Sequence, residues 1–196
     1  NTAGPVVAAD NYCLPPLSRW DLAGIRSLVD QKRYFVLHAP RQTGKTSSLL
    51  ALMQLLNGEG QYRCLYANIE AAQAARGDFV KGMGTVMEAL CRSAHVHLRD
   101  DRFYGWASEV RAREGVAEGV AAMLTAWAEA SPLPVVLLLD EVDALVGDTL
   151  ISLLRQLRAG YPDRTLEPPA FPVSLMLCGV RDVRDYRMQG PRGEVI

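Results

Sequence analysis

Apolar positions along the chain follow two rhythms. Short continuous apolar runs predict strands buried in a sheet, and apolar residues every three or four positions predict helices. The strand-like runs are residues 34–38 (Tyr34, Phe35, Val36, Leu37, His38), 63–68, 135–139 and 173–178. The third is unbroken from Val135 to Leu139 and too short for a helix. Helical spacing recurs between the runs. Residues 21–31 place Leu22, Ile25, Leu28 and Val29 on one face. A helix starting near Lys45 carries Leu49, Leu50, Met53 and Leu56, and stops at Asn57 and Gly58. Phe79, Met83, Val86, Met87, Leu90, Ala94 and Leu98 mark a long helix. Residues 108–130 continue the spacing through Val116, Val120, Met123, Leu124 and Trp127. Leu150, Leu153, Leu154 and Leu157 give a last helix ending at Gly160. Polar residues 99–101, the turn at 58–60 and the Pro-rich stretch 162–172 separate the elements.

Strands alternating with helices predict βαβ units, hence an α/β fold with a parallel sheet covered on both faces. Residues 1–19, with Pro5, Pro15 and Pro16, form a Pro-rich N-terminal segment, and residues 20–196 form one core. The 196 residues suffice for a single domain with a substantial interior. A net charge of −1 gives no bulk case for nucleic acid or a membrane surface. No stretch is long or apolar enough to span a bilayer. Cys13, Cys64, Cys91 and Cys178 lie far apart, without a C-x-x-C pair, and read as reduced residues of a cytoplasmic protein. The chain starts without Met and stops at Ile196, and is read as a piece of a longer protein.

The first strand runs into Ala39, Pro40, Arg41, Gln42, Thr43, Gly44, Lys45 and Thr46. This matches the phosphate-binding pattern G-x-x-x-x-G-K-T/S, with Ala39 in place of the first Gly. A triphosphate is a dense negative charge. Backbone N–H groups curled into a concavity surround it without titrating. The helix beginning at Lys45 adds its positive end and unpaired N–H groups. Gly44 takes dihedrals that a side chain resists. Lys45 reaches the β- and γ-phosphates, and the Thr46 hydroxyl is a Mg²⁺ ligand. Ala39 is expected to be tolerated where φ is negative. The nucleotide-binding set is Pro40, Arg41, Gln42, Thr43, Gly44, Lys45, Thr46 and Ser47, with Arg41 open to solvent, nucleotide or partner.

A second motif ends the apolar run of residues 135–139 with Asp140 and Glu141. An acid at a strand's C-terminal end holds Mg²⁺, usually through water. A neighbouring acid polarises the attacking water. Asp140 is therefore assigned to the metal and Glu141 to the general base, with Asp143 an outer acid.

At these residues the chain resembles the P-loop ATPases with an added catalytic glutamate, the ASCE class. Within that class it is similar to the AAA-like, STAND-related prokaryotic ATP-binding proteins. Residues 38–46, 138–143 and 177–182 carry the resemblance. It implies a three-layer P-loop NTPase fold, a parallel sheet flanked by helices on both faces, with the C-terminal lid absent from this chain. It implies a sheet order that puts the strand at 173–178 between the loop strand and the acid strand. It also implies a catalytic sensor just after 173–178, where members usually carry Asn, Thr, Ser or Asp. Arg181 stands there, followed by Asp182. Residues 12–19 correspond to the segment that contacts adenine.

His95 and His97 lie two apart, do not share a helix face, and read as surface histidines rather than a metal pair. Arg155 and Arg158 follow the leucine face of the last helix, and Arg184 and Arg187 follow the last strand. All four are open to a role as trans-acting arginine fingers in a homo-oligomer, against a solvated basic face. Glu70 follows the second strand and is read as structural. Trp20, Trp106 and Trp127 read as packing residues.

The function expected is ATP binding and Mg²⁺-dependent hydrolysis driving a conformational switch in a larger protein. A C-terminal effector domain or a partner protein would receive the switch. The alternatives are a nucleotide-dependent signalling module with little turnover, and a DNA-associated initiator-like ATPase, which the charge does not support.

Overall fold

Alternating apolar runs and amphipathic segments fold into a parallel sheet with helices on both faces. The computed structural model describes residues 15–40, 42–113 and 115–179. Its strands are β1 (Tyr34–His38), β2 (Arg63–Asn68), β3 (Val135–Asp140) and β4 (Ser174–Gly179). They pair in the order β1-β4-β3-β2, every pair parallel. β4 thus lies between the loop strand and the acid strand, as the resemblance implies. The helices are α1 (Leu22–Asp30), α2 (Lys45–Gly58), α3 (Phe79–Ser93), α4 (Arg102–Arg113), α5 (Gly119–Ala130) and α6 (Gly147–Ala159).

Strand side chains alternate between two cores, because successive residues of a strand point to opposite faces. Cys64, Tyr66, Val136, Leu138, Met176 and Cys178 pack against Ile25 and Val29 of α1 and Leu49, Leu52 and Leu56 of α2. Leu65, Ala67, Leu137, Leu139, Leu175 and Leu177 face the other way. They meet Met83 and Met87 of α3, Met123 and Trp127 of α5 and Leu153 of α6. Every position of β3 and β4 is buried, which accounts for their uniform apolar runs. Asp140 falls in phase with Val136 and Leu138, and therefore lies on the α2 face, toward the loop.

Residues 108–130 are not one helix. α4 starts earlier, at Arg102, and α5 begins only at Gly119. Gly115 takes φ +71° and reverses the chain between them. Gly119 lies against α3, where a Cβ would meet the Met87 sulfur at 2.5 Å. Val116, in the connection, still packs against the core and keeps helical phase with Val120. That hides the break from periodicity.

Residues 99–101 do break the helix before them, after a π-helical turn at Ala94–Leu98. They are not simply a solvated stretch. Asp100 is buried, and its carboxylate accepts from Arg102 Nε at 2.8 Å, Arg102 Nη2 at 2.6 Å and Arg63 Nη2 at 3.2 Å. The hydrogen bonds from Arg102 hold this carboxyl below the usual range.

α5 begins without a side-chain cap from Glu118. Its donors are met from another helix: buried Gln156 of α6 accepts through Oε1 from the N–H of Val120 at 3.0 Å and of Ala121 at 3.1 Å. Gln156→Leu keeps the volume and orphans both donors. An unpaired buried donor costs about 1–3 kcal/mol, so a loss of about 2–4 kcal/mol is expected in denaturant unfolding. Gln156→Glu, which keeps the acceptor at a helix N-terminus, recovers part of it. A loss below about 0.5 kcal/mol for Gln156→Leu would contradict this capping role.

Candidate functional site

β1 ends beside β4, where the Ala39 N–H donates to the Gly179 carbonyl at 3.3 Å. Ala39 is not among the residues of positive φ, so its methyl brings no left-handed strain. The loop then turns through Gln42 at φ +60° and Gly44 at φ +81°. A Cβ on Gly44 would meet nothing within 4 Å, so the glycine is required by conformation and not by space. Gly44 caps α2, and the first N–H groups of that helix, from Lys45 onward, open toward the loop. Thr43 Oγ1 donates to the Pro40 carbonyl at 2.8 Å. Lys45 is 7% exposed, and its ammonium donates to the carbonyls of Ala39 at 2.9 Å and Pro40 at 3.0 Å. A buried cation is thereby held under the loop by its own backbone. Pro40, Gln42, Thr43 and Gly44 are exposed, and Ser47 is half-buried in the first turn of α2.

The two sequence motifs meet directly. Thr46 Oγ1 donates to Asp140 Oδ2 at 2.8 Å across 94 residues of sequence. The Tyr66 hydroxyl, from β2, donates to the same oxygen at 3.1 Å. The Glu141 N–H donates to Oδ1 at 3.0 Å. Asp140 itself is 0% exposed. Burial, and then the charge of Asp140, push the Tyr66 hydroxyl above its ordinary range, so it stays a donor at neutral pH. Cys178 on β4 flanks Asp140 from the other side, and its thiol is pushed up by burial and by the same charge. It remains a neutral thiol, as does Cys64, whose burial raises it. Cys91, pushed up to about 11 mainly by burial, is neutral too.

Glu141 turns out of the strand at φ +59°, a left-handed conformation uncommon for a side-chain-bearing residue. Such outliers cluster at functional sites. Its carboxyl is raised by burial first, then by the charges of Asp140 and Asp143, with Glu70 adding a smaller push and Lys45 opposing. Glu70 is exposed and acts on Glu141 through that field. Asp143 lies in the short 3-10 turn Val142–Ala144, where β4 approaches closely. A Cβ on Gly179 would meet Asp143 Oδ1 at 2.8 Å. A side chain at the end of β4 would therefore displace the Asp143 carboxylate.

The donor set fits a hard cation. Thr46 and Asp140 offer oxygens only, and Asp140 is buried without an ion pair among the described residues. Mg²⁺ is commonly held by one or two protein oxygens with substrate phosphates completing the shell. Among the described residues no group of three or more His, Cys, Asp or Glu side chains forms a metal cage. His95 is exposed and contacts Asp101. His97 departs from the surface reading. Its ring is half-buried, edge-on to Tyr66 at 5.8 Å, and burial lowers its pKa.

The structure brings Lys45, Thr46, Asp140 and Glu141 together. Arg41, the sensor position Arg181 with Asp182, and the finger positions Arg184 and Arg187 lie outside the described residues, as do residues 12–14 of the adenine-side segment. The rest of that segment does pack near the loop helix. Pro16–Arg19 forms a 3-10 turn, and Ser48 Oγ donates to the Pro16 carbonyl at 2.9 Å. Arg155 and Arg158 are exposed on α6. Tyr66 was missed by sequence reading, because nothing local marks a strand tyrosine as facing an acid on the neighbouring strand.

The family model described as an AAA domain matches residues 28–186, which span both motifs and all four described strands. No curated protein matches the chain.

Proposed function

The chain belongs to the AAA domain family, and on that premise we propose that it binds ATP and hydrolyses its β–γ phosphoanhydride. The observation that carries this reading is the 2.8 Å hydrogen bond from Thr46 to Asp140, which joins the phosphate loop to the acid strand. Loop N–H groups and the α2 N-terminus surround the phosphates. Lys45 sets its charge against the β- and γ-phosphates. Mg²⁺, held by Thr46 and by Asp140 directly or through water, supplies neutralisation of charge on the phosphate oxygens. Glu141 orients a water against the γ-phosphorus and takes its proton as the new P–O bond forms. The bond to the bridging oxygen breaks in line, releasing ADP and phosphate.

The output is a conformational switch in a larger cytoplasmic protein, received by an effector domain, a partner or a second copy. Two features support it. Lys45 is bonded to the loop's own carbonyls, so its attraction to phosphate is coupled to loop geometry. Exposed Arg155 and Arg158 offer cations to a neighbouring subunit.

Thermal unfolding with ATP–Mg²⁺, GTP–Mg²⁺ or no ligand tests the reading. Ligand at a hundredfold above Kd stabilises the folded state by about 2.7 kcal/mol, roughly a 5–10 °C rise for a chain of this size. A melting point unmoved by either nucleotide would remove the basis of the proposal.

A further inference from the structure

The two deeply buried aspartates described above are satisfied in different ways. Asp100 sits between two guanidinium groups, Arg63 and Arg102. The Cys178 thiol of β4 borders Asp140, and the hydrogen-bond donors to its carboxylate are neutral: the Thr46 hydroxyl, the Tyr66 hydroxyl and the Glu141 N–H. They come from three separate places, α2, β2 and the exit of β3. Two converge on Oδ2 and one holds Oδ1, so the carboxylate is fixed about its own axis as well as in place. Thr46 also belongs to the phosphate loop, and the Glu141 N–H is fixed by chain connectivity. Tyr66 stands outside both the loop and the acid turn, and its hydroxyl is a stronger donor than the neighbouring Cys178 thiol. Its ring is buried, its backbone is held in the β2–β3 ladder beside Leu138, and His97 packs against its edge.

We propose that Tyr66 is a positioning residue for Asp140, and that its hydroxyl fixes the carboxylate orientation that binds Mg²⁺ in the nucleotide-loaded site. The inference rests on the ATP–Mg²⁺ reading above and deepens it. A carboxylate that must reorient before meeting a metal loses part of its affinity. Partners that orient a metal ligand commonly contribute 10–100-fold to metal binding. Tyr66 contacts neither phosphate nor water in this role and acts only through Asp140.

The measurement is ATP affinity by calorimetry, with Mg²⁺ and with EDTA, on wild type and Tyr66→Phe. The readout is the ratio of the two affinities, the gain that Mg²⁺ confers. In Tyr66→Phe this gain shrinks about 10-fold or more, while affinity in EDTA stays at the wild-type value. In an Asp140→Asn background the added effect of Tyr66→Phe vanishes. His97→Ala, which removes the ring contact but keeps the hydroxyl, leaves the gain unchanged. An unchanged gain in Tyr66→Phe, or an equal loss in both arms, would overturn the positioning role. The second result would mark Tyr66 as packing only. Wild type that binds ATP in neither arm would instead overturn the nucleotide reading itself. If Tyr66→Phe does not fold, the outcome is decided by Tyr66→Met, a flexible apolar side chain that adapts to the space and carries no donor for Asp140. A retained gain in that variant refutes the proposal.

Discussion

Glu141→Gln slows ATP hydrolysis by about 10²–10⁴-fold and leaves ATP–Mg²⁺ affinity within about threefold. The amide keeps the size of the side chain and its place in the left-handed turn after β3, but it cannot take a proton. Loop, Lys45, Thr46 and Asp140 are untouched, so binding persists while turnover stops. Single-turnover hydrolysis on saturated protein separates the two. A rate equal to wild type would remove Glu141 as the base.

The same residue predicts a pH dependence. Burial and the charges of Asp140 and Asp143 raise the Glu141 carboxyl above its ordinary value. The base must be ionised, so hydrolysis falls as pH drops through that raised pKa, and the residual rate of Glu141→Gln lacks this limb. Stability carries the opposite sign. The raised pKa means that the folded chain binds this proton more tightly than the unfolded chain, whose Glu titrates near ~4.3. Ionised Glu141 therefore costs the native state stability at neutral pH. Glu141→Gln raises the denaturation midpoint above the raised pKa. The gain disappears as pH falls below the unfolded value, where both forms are neutral. On the proposed reading, a base that lowers the stability of its own fold is expected where charges are gathered for catalysis.

Much of the candidate site was legible in the sequence, for a local reason. Phosphate binding needs consecutive backbone amides, one positive-φ glycine and one lysine, all within a few residues. The strands at 34–38 and 63–68 were bounded correctly, although both are outer strands of the described sheet and only partly covered, because turn and loop residues flank each run. The acid strand gained Asp140 itself, which the periodic reading had placed just outside it. What failed was non-local. Helical phase carried across the Gly115 reversal, since Val116 remains packed at the turn. Gln156 reads as a polar interruption of a leucine face, and its role follows only from α5 ending up beside α6. Asp100 reads as part of a polar break, and its burial is met by its near neighbour Arg102 together with Arg63, which comes from β2, 37 residues away in sequence. Tyr66 belongs to the same class. Its partner is one strand over, and that adjacency is a property of sheet order.

Lys45→Ala abolishes the nucleotide-dependent melting shift while the ligand-free protein stays folded. The side chain carries a positive charge into a position only 7% exposed, bonded to the Ala39 and Pro40 carbonyls. Removing one partner of a desolvated charged contact costs about 2–5 kcal/mol, or roughly 30-fold to several-thousand-fold in Kd. Phosphate would then meet loop amides without a countercharge. The cost to folding is smaller. Pro40 is exposed, so water replaces the lost ammonium at its carbonyl, and a change of about 1 kcal/mol is expected. Lys45→Arg does not restore binding. A planar guanidinium cannot place one compact charge between two carbonyls 2.9 and 3.0 Å from the ammonium. Melting curves at fixed ATP–Mg²⁺, set beside the curve without nucleotide, decide the matter. A full wild-type shift in Lys45→Ala would mean that the phosphates do not sit in this loop.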